Sequence, residues 1–429
     1  MLKTPTKQEH TTSYYSATTN DHTIYPELRG SERADICVVG GGFTGISTAL
    51  TLAERGYKVA VLEANRVGWG ASGRNGGQLI CGISGEHKLV RRYGPQVADM
   101  VWDLRWRGNR IIRERVARYG INCDLKDGYL EVAIKPRHMK ALEEDVEEYQ
   151  QRGYRGEYRI FDREETRALV GTSAYIGSFL TMENGHLHPL NLCLGEARAA
   201  SGLGVRIYEQ SPVTRIEHKA RPLAITEHGQ MEADNIVLAG NAYHHLEGRR
   251  LSGLTFPAGS FIIATEPLPA SLRQEINPRD LAVCTLNDIV DYFRLSADGR
   301  MLYGGRCNYS GKVPASIENS IRPRMEKVYP QLKDYRVEYQ WGGNIGIVIT
   351  RVPLVGRIGK NVFYAQGYSG HGVNVSHIMG EILSDAIAGT MEAFDLFAKM
   401  PQIRIPGSQW SGNQIVALGM IYYRLKDLR

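Results

Sequence analysis

Residues 68–78 read GWGASGRNGGQ; five of these eleven are glycine, and Ser72, Arg74, Asn75 and Gln78 stand among them. No helical or alternating apolar period runs through the stretch, which makes it poor core material. A backbone this bare offers its amides to a ligand. Ala71 and Ser72 add a hydroxyl suited to phosphate or sugar-alcohol contacts, and Arg74 brings a fixed positive charge. A surface loop with an incidental arginine is the plain alternative. Upstream, GGGFTG at 40–45 fits G-x-G-x-x-G through Gly40, Gly42 and Gly45, with Phe43 and Thr44 between, and Glu63 follows about 18 residues beyond Gly45. These types at this spacing suit a dinucleotide. Gly40 permits a tight turn, Gly42 lets backbone N–H groups approach a pyrophosphate, and Gly45 lets helix and sheet pack closely. Glu63 can accept two ribose hydroxyls, and its charge would repel a 2′-phosphate, which disfavours NADP. A glycine-rich turn in an ordinary βαβ unit would look similar, and the fingerprint alone does not choose between FAD and NAD.

The elements that would carry these residues are readable around them. DICVVGG is a continuous apolar run of the kind a strand buried on both faces shows. GISTALTLAERGY then keeps helical spacing through Ile46, Ala49, Leu50 and Ala53, and KVAVLEA supplies a second buried strand ending at Glu63 and Ala64. Further on, the pattern predicts helices over 96–119, from Pro136, over NLCLGEARAAS and near 373–389, and strands at GYLEVAI, VRIYEQ, VTRIEH and ADNIVLAGN. Residues 256–340 supply candidate antiparallel strands such as SFIIATE, DYFRLSA and MLYGG. The predicted fold class is α/β (α+β): a Rossmann-like doubly wound dinucleotide domain interleaved with a substrate domain on a mixed or antiparallel sheet. The expected division is an arm laid over the surface (1–33), a discontinuous FAD-binding domain (34–120, 181–255 and 341–400), a substrate domain (121–180 and 256–340) and a C-terminal extension (401–429).

Composition narrows the class. The 429 residues are 42% hydrophobic and 23% charged, ordinary for a globular chain with a real core. A net charge of +6 with acids and bases interspersed is weak support for nucleic acid. The six cysteines (37, 81, 123, 193, 284 and 307) contain no CxxC pair, which argues against a zinc site or a disulfide framework. His186 and His188 in GHLHPLN would share one face of a strand as metal ligands, but a structural role before Pro189 is favoured. The N-terminus lacks a signal-peptide core and no apolar run approaches membrane-spanning length, so a cytoplasmic location without membrane insertion is expected.

VVGGGFTGISTALTLAERGYKVAVLEA followed by GASGRNGGQ resembles the D-amino-acid-oxidase-like (glycine/sarcosine oxidase type) FAD-dependent oxidoreductases, and most nearly their γ-glutamylputrescine oxidoreductase branch. GHLHPLN, ADNIVLAGNAY, QWGGNIGIVITRVPLVGRIG, GYSGHGVNVSHIMGEIL and ALGMIYYRLKDLR carry the likeness over nearly the whole chain. The resemblance implies FAD. Asn75, Gly76, Gly77 and Gln78 would then run under the isoalloxazine ring, and Arg74 would face phosphate or flavin. Val213, on a strand after Ser211 and Pro212, would offer backbone groups to adenine, with Gly240 and Asn241 on the pyrophosphate side. Gly370, His371 and Gly372 would meet the pyrimidine edge, where the helix N-terminus at Val373 favours charge developing on reduction. His371 would bond flavin or substrate, supply positive charge that aids reaction with oxygen, or simply tie down its loop.

In sarcosine-oxidase-like relatives the loop often reads GHGFK, whose lysine holds the substrate carboxylate. Here Asn374 stands at that place, which argues for an amine whose reacting end carries no carboxylate. Trp69, Tyr303, Trp341 and Tyr364 are candidates to line the aliphatic chain, with plain packing as the alternative. The implied function is oxidation of a γ-glutamylated diamine or polyamine by hydride transfer to flavin, giving aldehyde, ammonia and peroxide, with the small amine and oxygen as partners. Competing readings are a dehydrogenase passing electrons to a quinone or carrier protein, a flavin-containing RNA-modifying protein, and a non-catalytic binding module. ALGMIYYRLKDLR is expected as a docked C-terminal helix rather than a membrane-surface one.

Overall fold

The apolar run that opens the fold becomes the strand Gly30–Val39, whose Ile36, Cys37 and Val38 are fully buried because parallel strands flank it on both sides. Cys37 pairs with Ala60 of Val59–Leu62 on one side and with Ile236 of Gly229–Leu238 on the other. The computed structural model describes residues 7–287, 290–308 and 313–405. Within them the main path of the first sheet runs Leu354–Ile358, Val362–Gln366, Gly229–Leu238, Gly30–Val39, Val59–Leu62, Arg206–Tyr208, parallel except for the first pair, and the hairpin of Arg215–Glu217 and Leu223–Ile225 joins Gly229–Leu238 antiparallel. Helix α1 (Phe43–Glu54) crosses from the first strand to the second, as the spacing predicts.

The second sheet is mixed. Its order is Val337–Ile347, Phe256–Thr265, Met301–Asn308, Asp291–Leu295, Ala282–Thr285, Lys126–Ala133, Gly177–His186 and Gln78–Leu79, with Tyr158–Phe161 beside Gly177–His186. One pair, Ala282–Thr285 with Lys126–Ala133, is parallel and the others are antiparallel. The doubly wound sheet and the mixed sheet expected from the sequence are thus both present. The expected boundaries at 180/181 and 340/341 fall inside Gly177–His186 and Val337–Ile347, strands that belong wholly to the second sheet. Nothing in a strand's alternation marks where a domain ends. The motif loop also crosses over, since Gln78–Leu79 pairs with His186 and Gly185.

Three further helices gather around α1: α2 (Ala98–Tyr119), α3 (Pro189–Gly202) and α4 (Gly372–Ile387); α3 and α4 touch the first sheet, and α2 packs on them. A β-carbon on Gly380 of α4 would come within 2.5 Å of the Ser47 hydroxyl on α1, so the two helices touch backbone to side chain. Between the four helices lies a buried ionic cluster. Arg115 of α2 donates to Glu196 of α3 (2.9 Å), to the Ser47 hydroxyl (2.8 Å) and to the Thr51 hydroxyl (2.8 Å). On α4, His377 Nδ1 donates to the Val373 carbonyl (2.6 Å) while Nε2 lies 3.1 Å from Glu196, so both ring nitrogens face acceptors. Burial alone would raise the pKa of Glu196, but His377 and Arg115 draw it below the usual carboxylate value.

The described part of the N-terminal arm is largely exposed but carries buried anchors. Tyr14 and Tyr15 are 3% and 0% exposed, and the first strand already begins at Gly30. Tyr14 donates to Asp298 (2.8 Å), and Tyr15 meets His188 and Trp341 edge-on, at centroid distances of 4.9 and 5.2 Å. A polar stretch conceals such anchors because two aromatics suffice to pin it. His188 therefore serves the arm: its Nε2 lies 3.1 Å from the Thr18 hydroxyl, and its Nδ1 accepts the Asn191 N–H to cap α3. His186 Nε2 bonds the Asp280 carbonyl (2.7 Å), and among the described residues no group of three or more potential ligands could hold a metal. Val213 lies ahead of the strand Arg215–Glu217, not on a strand. The C-terminal segment ALGMIYYRLKDLR lies outside the described residues. No helix among them is long and apolar enough to cross a membrane.

The Glu196 cluster gives a stability test. Glu196→Ala leaves Arg115 buried without a counter-charge and His377 without its acceptor, an omission that typically costs ~3–5 kcal/mol. Thermal unfolding of the apo-protein should show a clear drop in melting temperature. A shift within a degree would mean that water compensates the cluster.

Candidate functional site

The first βα turn is shaped for a close ligand. Gly40 has φ +115°, a conformation strained for any other residue, and its position leaves 2.8 Å between an added β-carbon and the Ala239 carbonyl oxygen. A β-carbon at Gly45 would overlap the Gly40 carbonyl oxygen, so the third glycine seats α1 against the turn it leaves. At the end of the next strand Glu63 accepts the Gly41 N–H (2.6 Å) and the Asn65 N–H (2.8 Å). Burial nonetheless pushes its pKa up to about 7, against the pull of those two amides.

These residues open onto a cavity of roughly 530 Å³, well within the range of ligand sites. Gly40, Gly42, Phe43 and Thr44 line it at the start of α1, with Glu63 and Ala64 beside them. Ala71, Ser72 and Asn75 line it from the motif loop, and Val213, Gly240 and Asn241 from the middle of the chain. Gly370, Gly372 and Val373 complete it at the start of α4. Two helix N-termini therefore face one cavity, each with unpaired amides and partial positive charge suited to anionic groups. The loop is held by its own polar atoms. Ser72 Oγ accepts the Phe43 N–H (2.9 Å), and Asn75 donates to the Ala71 and Ser72 carbonyls while accepting the Gly77 N–H (2.8 Å). Asn241, at φ +44°, accepts the Gly367 N–H (2.9 Å) and so ties the middle segment to the α4 loop.

Other expected contacts point elsewhere. Gly45 sits behind the turn, and Arg74, Gly76, Gly77 and Gln78 do not line the cavity. Arg74 turns onto Trp69 instead of toward a phosphate: its Nε donates to the Trp69 carbonyl (2.7 Å), and its guanidinium lies 4.2 Å from the ring centroid. Gly76 lies against Tyr292, where a β-carbon would stand 2.5 Å from the ring. Gly77 accepts the Leu187 N–H (2.7 Å), and Gln78 donates to the Val283 carbonyl (2.9 Å). This half of the motif joins the loop to the second sheet.

Trp69 lines the cavity, edge-on to Tyr243 at 5.1 Å. The remaining substrate candidates do not. Tyr303 stacks on Phe293 (5.5 Å) in the core on one face of the second sheet, Trp341 donates to the Arg74 carbonyl (3.1 Å), and Tyr364 packs over Gly356. Asn374 is 1% exposed, and its amide donates to the Gly82 and Arg105 carbonyls (both 3.1 Å), binding α4 to its neighbours instead of reaching a ligand. His371 precedes α4 between two cavity-lining glycines but does not itself line the cavity. Burial lowers its pKa, with Glu86 opposing and Arg351 assisting. Its Nδ1 is buried without a hydrogen bond among the described residues.

Two residues passed over in the sequence, Tyr243 and Tyr368, line the cavity, and others lie outside its lining. Tyr368, inside the GYSGHG block, brings its hydroxyl 2.6 Å from that of Thr44, linking the starts of α4 and α1 across the cavity. Tyr243 accepts the Asn344 N–H (3.1 Å). Tyr292 shares a hydrogen bond with Ser260 (3.2 Å) beside the motif loop. Glu131, on the strand Lys126–Ala133, is raised to about 7 by burial and by Asp145, with Arg105 opposing. Asp145 is itself raised to about 6 by burial, again with Arg105 opposing. No spacing rule marks these acids, because strand and helix meet only in the fold.

Bare backbone, paired helix N-termini and a carboxylate at the end of the second strand suit a dinucleotide. Residues 35–386 match the family described as FAD dependent oxidoreductase (DAO), and the chain belongs to that family: it is an FAD-dependent oxidoreductase. Among curated proteins it is 40% identical over 422 residues to the gamma-glutamylputrescine oxidoreductase of Escherichia coli (strain K12), covering 98% of this chain and 99% of that protein. Among solved structures it is similar to glycine oxidase from Geobacillus kaustophilus (TM-score 0.72, 22% identity, 87% of this chain and 100% of that one). It is also similar to L-proline dehydrogenase from P. horikoshii (TM-score 0.70, 20% identity, 85% and 96%).

The raised pKa of Glu63 has a measurable sign. Between its unfolded value of 4.5 and about 7 the folded apo-protein keeps a proton that the unfolded chain has lost, so this group's stability contribution is fully present below 4.5 and fades as pH rises through about 7. Glu63→Gln removes that loss. The melting temperature of the apo-variant, relative to wild type, should therefore climb from pH 5 to pH 8, and a pH-independent offset would show that Glu63 titrates normally.

Proposed function

We propose that the protein oxidises the primary amine of a γ-glutamylated diamine or polyamine, such as γ-glutamylputrescine, in polyamine breakdown. The amine, oxygen and water give an aldehyde, ammonia and hydrogen peroxide. The observation that carries this reading is the 40% identity, over nearly the full length of both chains, to a gamma-glutamylputrescine oxidoreductase. A feature of this chain agrees with it: the Asn374 amide is spent on two carbonyls, leaving no cation there for a carboxylate on the reacting carbon.

FAD, when bound, supplies the hydride acceptor and the route to oxygen. The chain's own part is to bind, orient and desolvate. The cavity residues at the starts of α1 and α4, with Glu63, Ser72 and Asn75, would hold the cofactor, and the face of the second sheet that meets the motif loop would hold the substrate. Tyr292 and Ser260 are the hydroxyls on that side. The non-reacting end of a γ-glutamyl amine is a zwitterion. Glu131 and Asp145 are suited to its ammonium and Arg105 to its carboxylate. Among the described residues neither acid is hydrogen-bonded, whereas Arg105 is already positioned by Glu86 (2.9 Å) and Glu148 (3.3 Å). No side chain need act as a base, because the amine reacts in its neutral form.

A dehydrogenase with a quinone or carrier acceptor is favoured by one observation, the burial of His371, which lowers its pKa and so disfavours the positive charge that would assist oxygen. The deciding assay supplies γ-glutamylputrescine, putrescine and sarcosine in parallel and follows peroxide and dye reduction. Peroxide from the glutamylated amine alone is the expected result. Dye reduction without peroxide would select the dehydrogenase, and no flavin bleaching by any of the three would refute the substrate class. A second test concerns Glu131. Loss of a charge-assisted bond costs ~1.5–3 kcal/mol, so Glu131→Gln should raise KM for γ-glutamylputrescine about tenfold or more with kcat largely kept. An unchanged KM would remove Glu131 from the site.

A further inference from the structure

The arm ahead of the Tyr14–Tyr15 anchor runs across one end of the cofactor cavity. Gln8 lines that cavity, and its carbonyl accepts a hydrogen bond from Gln210 Nε2 (3.2 Å). The next residue makes two contacts at once: the Glu9 carbonyl accepts the Trp69 indole N–H (3.0 Å), and the Glu9 carboxylate takes both Nε and Nη2 of Arg66 (2.8 Å each). Arg66 is pre-set for this by Glu209, which accepts from its Nη1 (2.9 Å) and from the Val67 N–H (2.8 Å). The end being crossed is that of Glu63 and Val213. The Glu63 carbonyl accepts the Ser211 N–H (2.8 Å), which keeps segment 210–213 beside the ribose-binding carboxylate.

We propose that residues 8–10 form a strap that retains FAD: the cofactor leaves only when the Glu9–Arg66, Glu9–Trp69 and Gln8–Gln210 contacts open together. The strap is a latch more than a wall. The Glu9 side chain is 71% exposed, and a pair of that kind contributes little by itself. It closes because Tyr14 and Tyr15 anchor the chain a few residues away, which keeps the strap at high effective concentration over its partners. Neither glycine motif contains any part of it, so FAD retention would be set partly by residues outside the family fingerprint. Trp69 has two duties in this arrangement, lining the cavity and donating to the strap. Arg74, stacked on its other side, holds the ring in place.

The test measures the rate of FAD release from the holoenzyme, by recovery of flavin fluorescence after dilution into a scavenger of free FAD. Deleting residues 1–9 should speed release about tenfold or more; Glu9→Ala should speed it several-fold, with kcat per bound flavin and the apo-protein melting temperature near wild type. Salt separates the latch from general loosening: raising NaCl should accelerate release from wild type and leave Glu9→Ala nearly flat. If the deletion fails to fold, the salt comparison decides alone. Equal release rates in wild type and Glu9→Ala, with the same salt response, would overturn the proposal.

Discussion

The contact between α1 and α4 is the constraint on which the site depends. Both helices begin at the cavity, and their approach is close enough that Gly380 meets Ser47 where a side chain would not fit. Two helices packed with their N-termini side by side would repel through their partial charges. What holds them is deeper: Arg115, Glu196 and His377 bring one member each from α2, α3 and α4 and bond α1 through Ser47 and Thr51. The cluster is a poor source of net stability, since buried ion pairs seldom repay their desolvation. It does fix the relative positions of four helices. The bond between Thr44 and Tyr368 then carries that geometry to the cavity itself.

The motif loop adds a second constraint. Its first half serves the cavity with bare amides and Ser72, while its second half leaves the cavity and becomes an edge strand of the other sheet. Arg74 stands at the change of role. Its side chain stacks on Trp69 and its carbonyl receives the Trp341 indole, so the residue that looks in sequence like a phosphate ligand works as a hinge pin between the sheets. The glycines after it are needed because Tyr292 and Leu187 of the second sheet's side press directly on the backbone.

How much of this was legible followed from the range of the physics involved. Gly40, Gly45 and Glu63 obey rules of backbone geometry that act within one βαβ unit, and spacing alone conveys them. Four strands of the second sheet were readable, in GYLEVAI, SFIIATE, DYFRLSA and MLYGG. Their order was not, because the parallel pairing of Ala282–Thr285 with Lys126–Ala133 joins segments far apart in the chain. Side-chain direction was the least legible property. Asn374 and Tyr303 lie in or near motif segments, yet one faces α2 and its preceding loop and the other a sheet core. Glu131 with Asp145, and Glu9 with Arg66, left no trace in spacing because each pair meets only across tertiary contacts.

The cavity gives a bound ligand a way to add to the stability of this chain. Its lining is a set of groups short of partners: free amides at two helix ends, and a carboxylate that burial drives toward its protonated form despite two backbone hydrogen bonds. A ligand that brought phosphate oxygens to the amides and hydroxyls to Glu63 would supply the partners these groups lack. A ligand that binds only the folded state adds stability by mass action. The close packing beneath the cavity cannot relax to satisfy these groups, because Gly45 and Gly380 leave the helices no room to move inward. Rigidity below and unmet polarity above are therefore two sides of one arrangement. The scaffold keeps the site open, so the binding groups need little reorganisation when the cofactor enters.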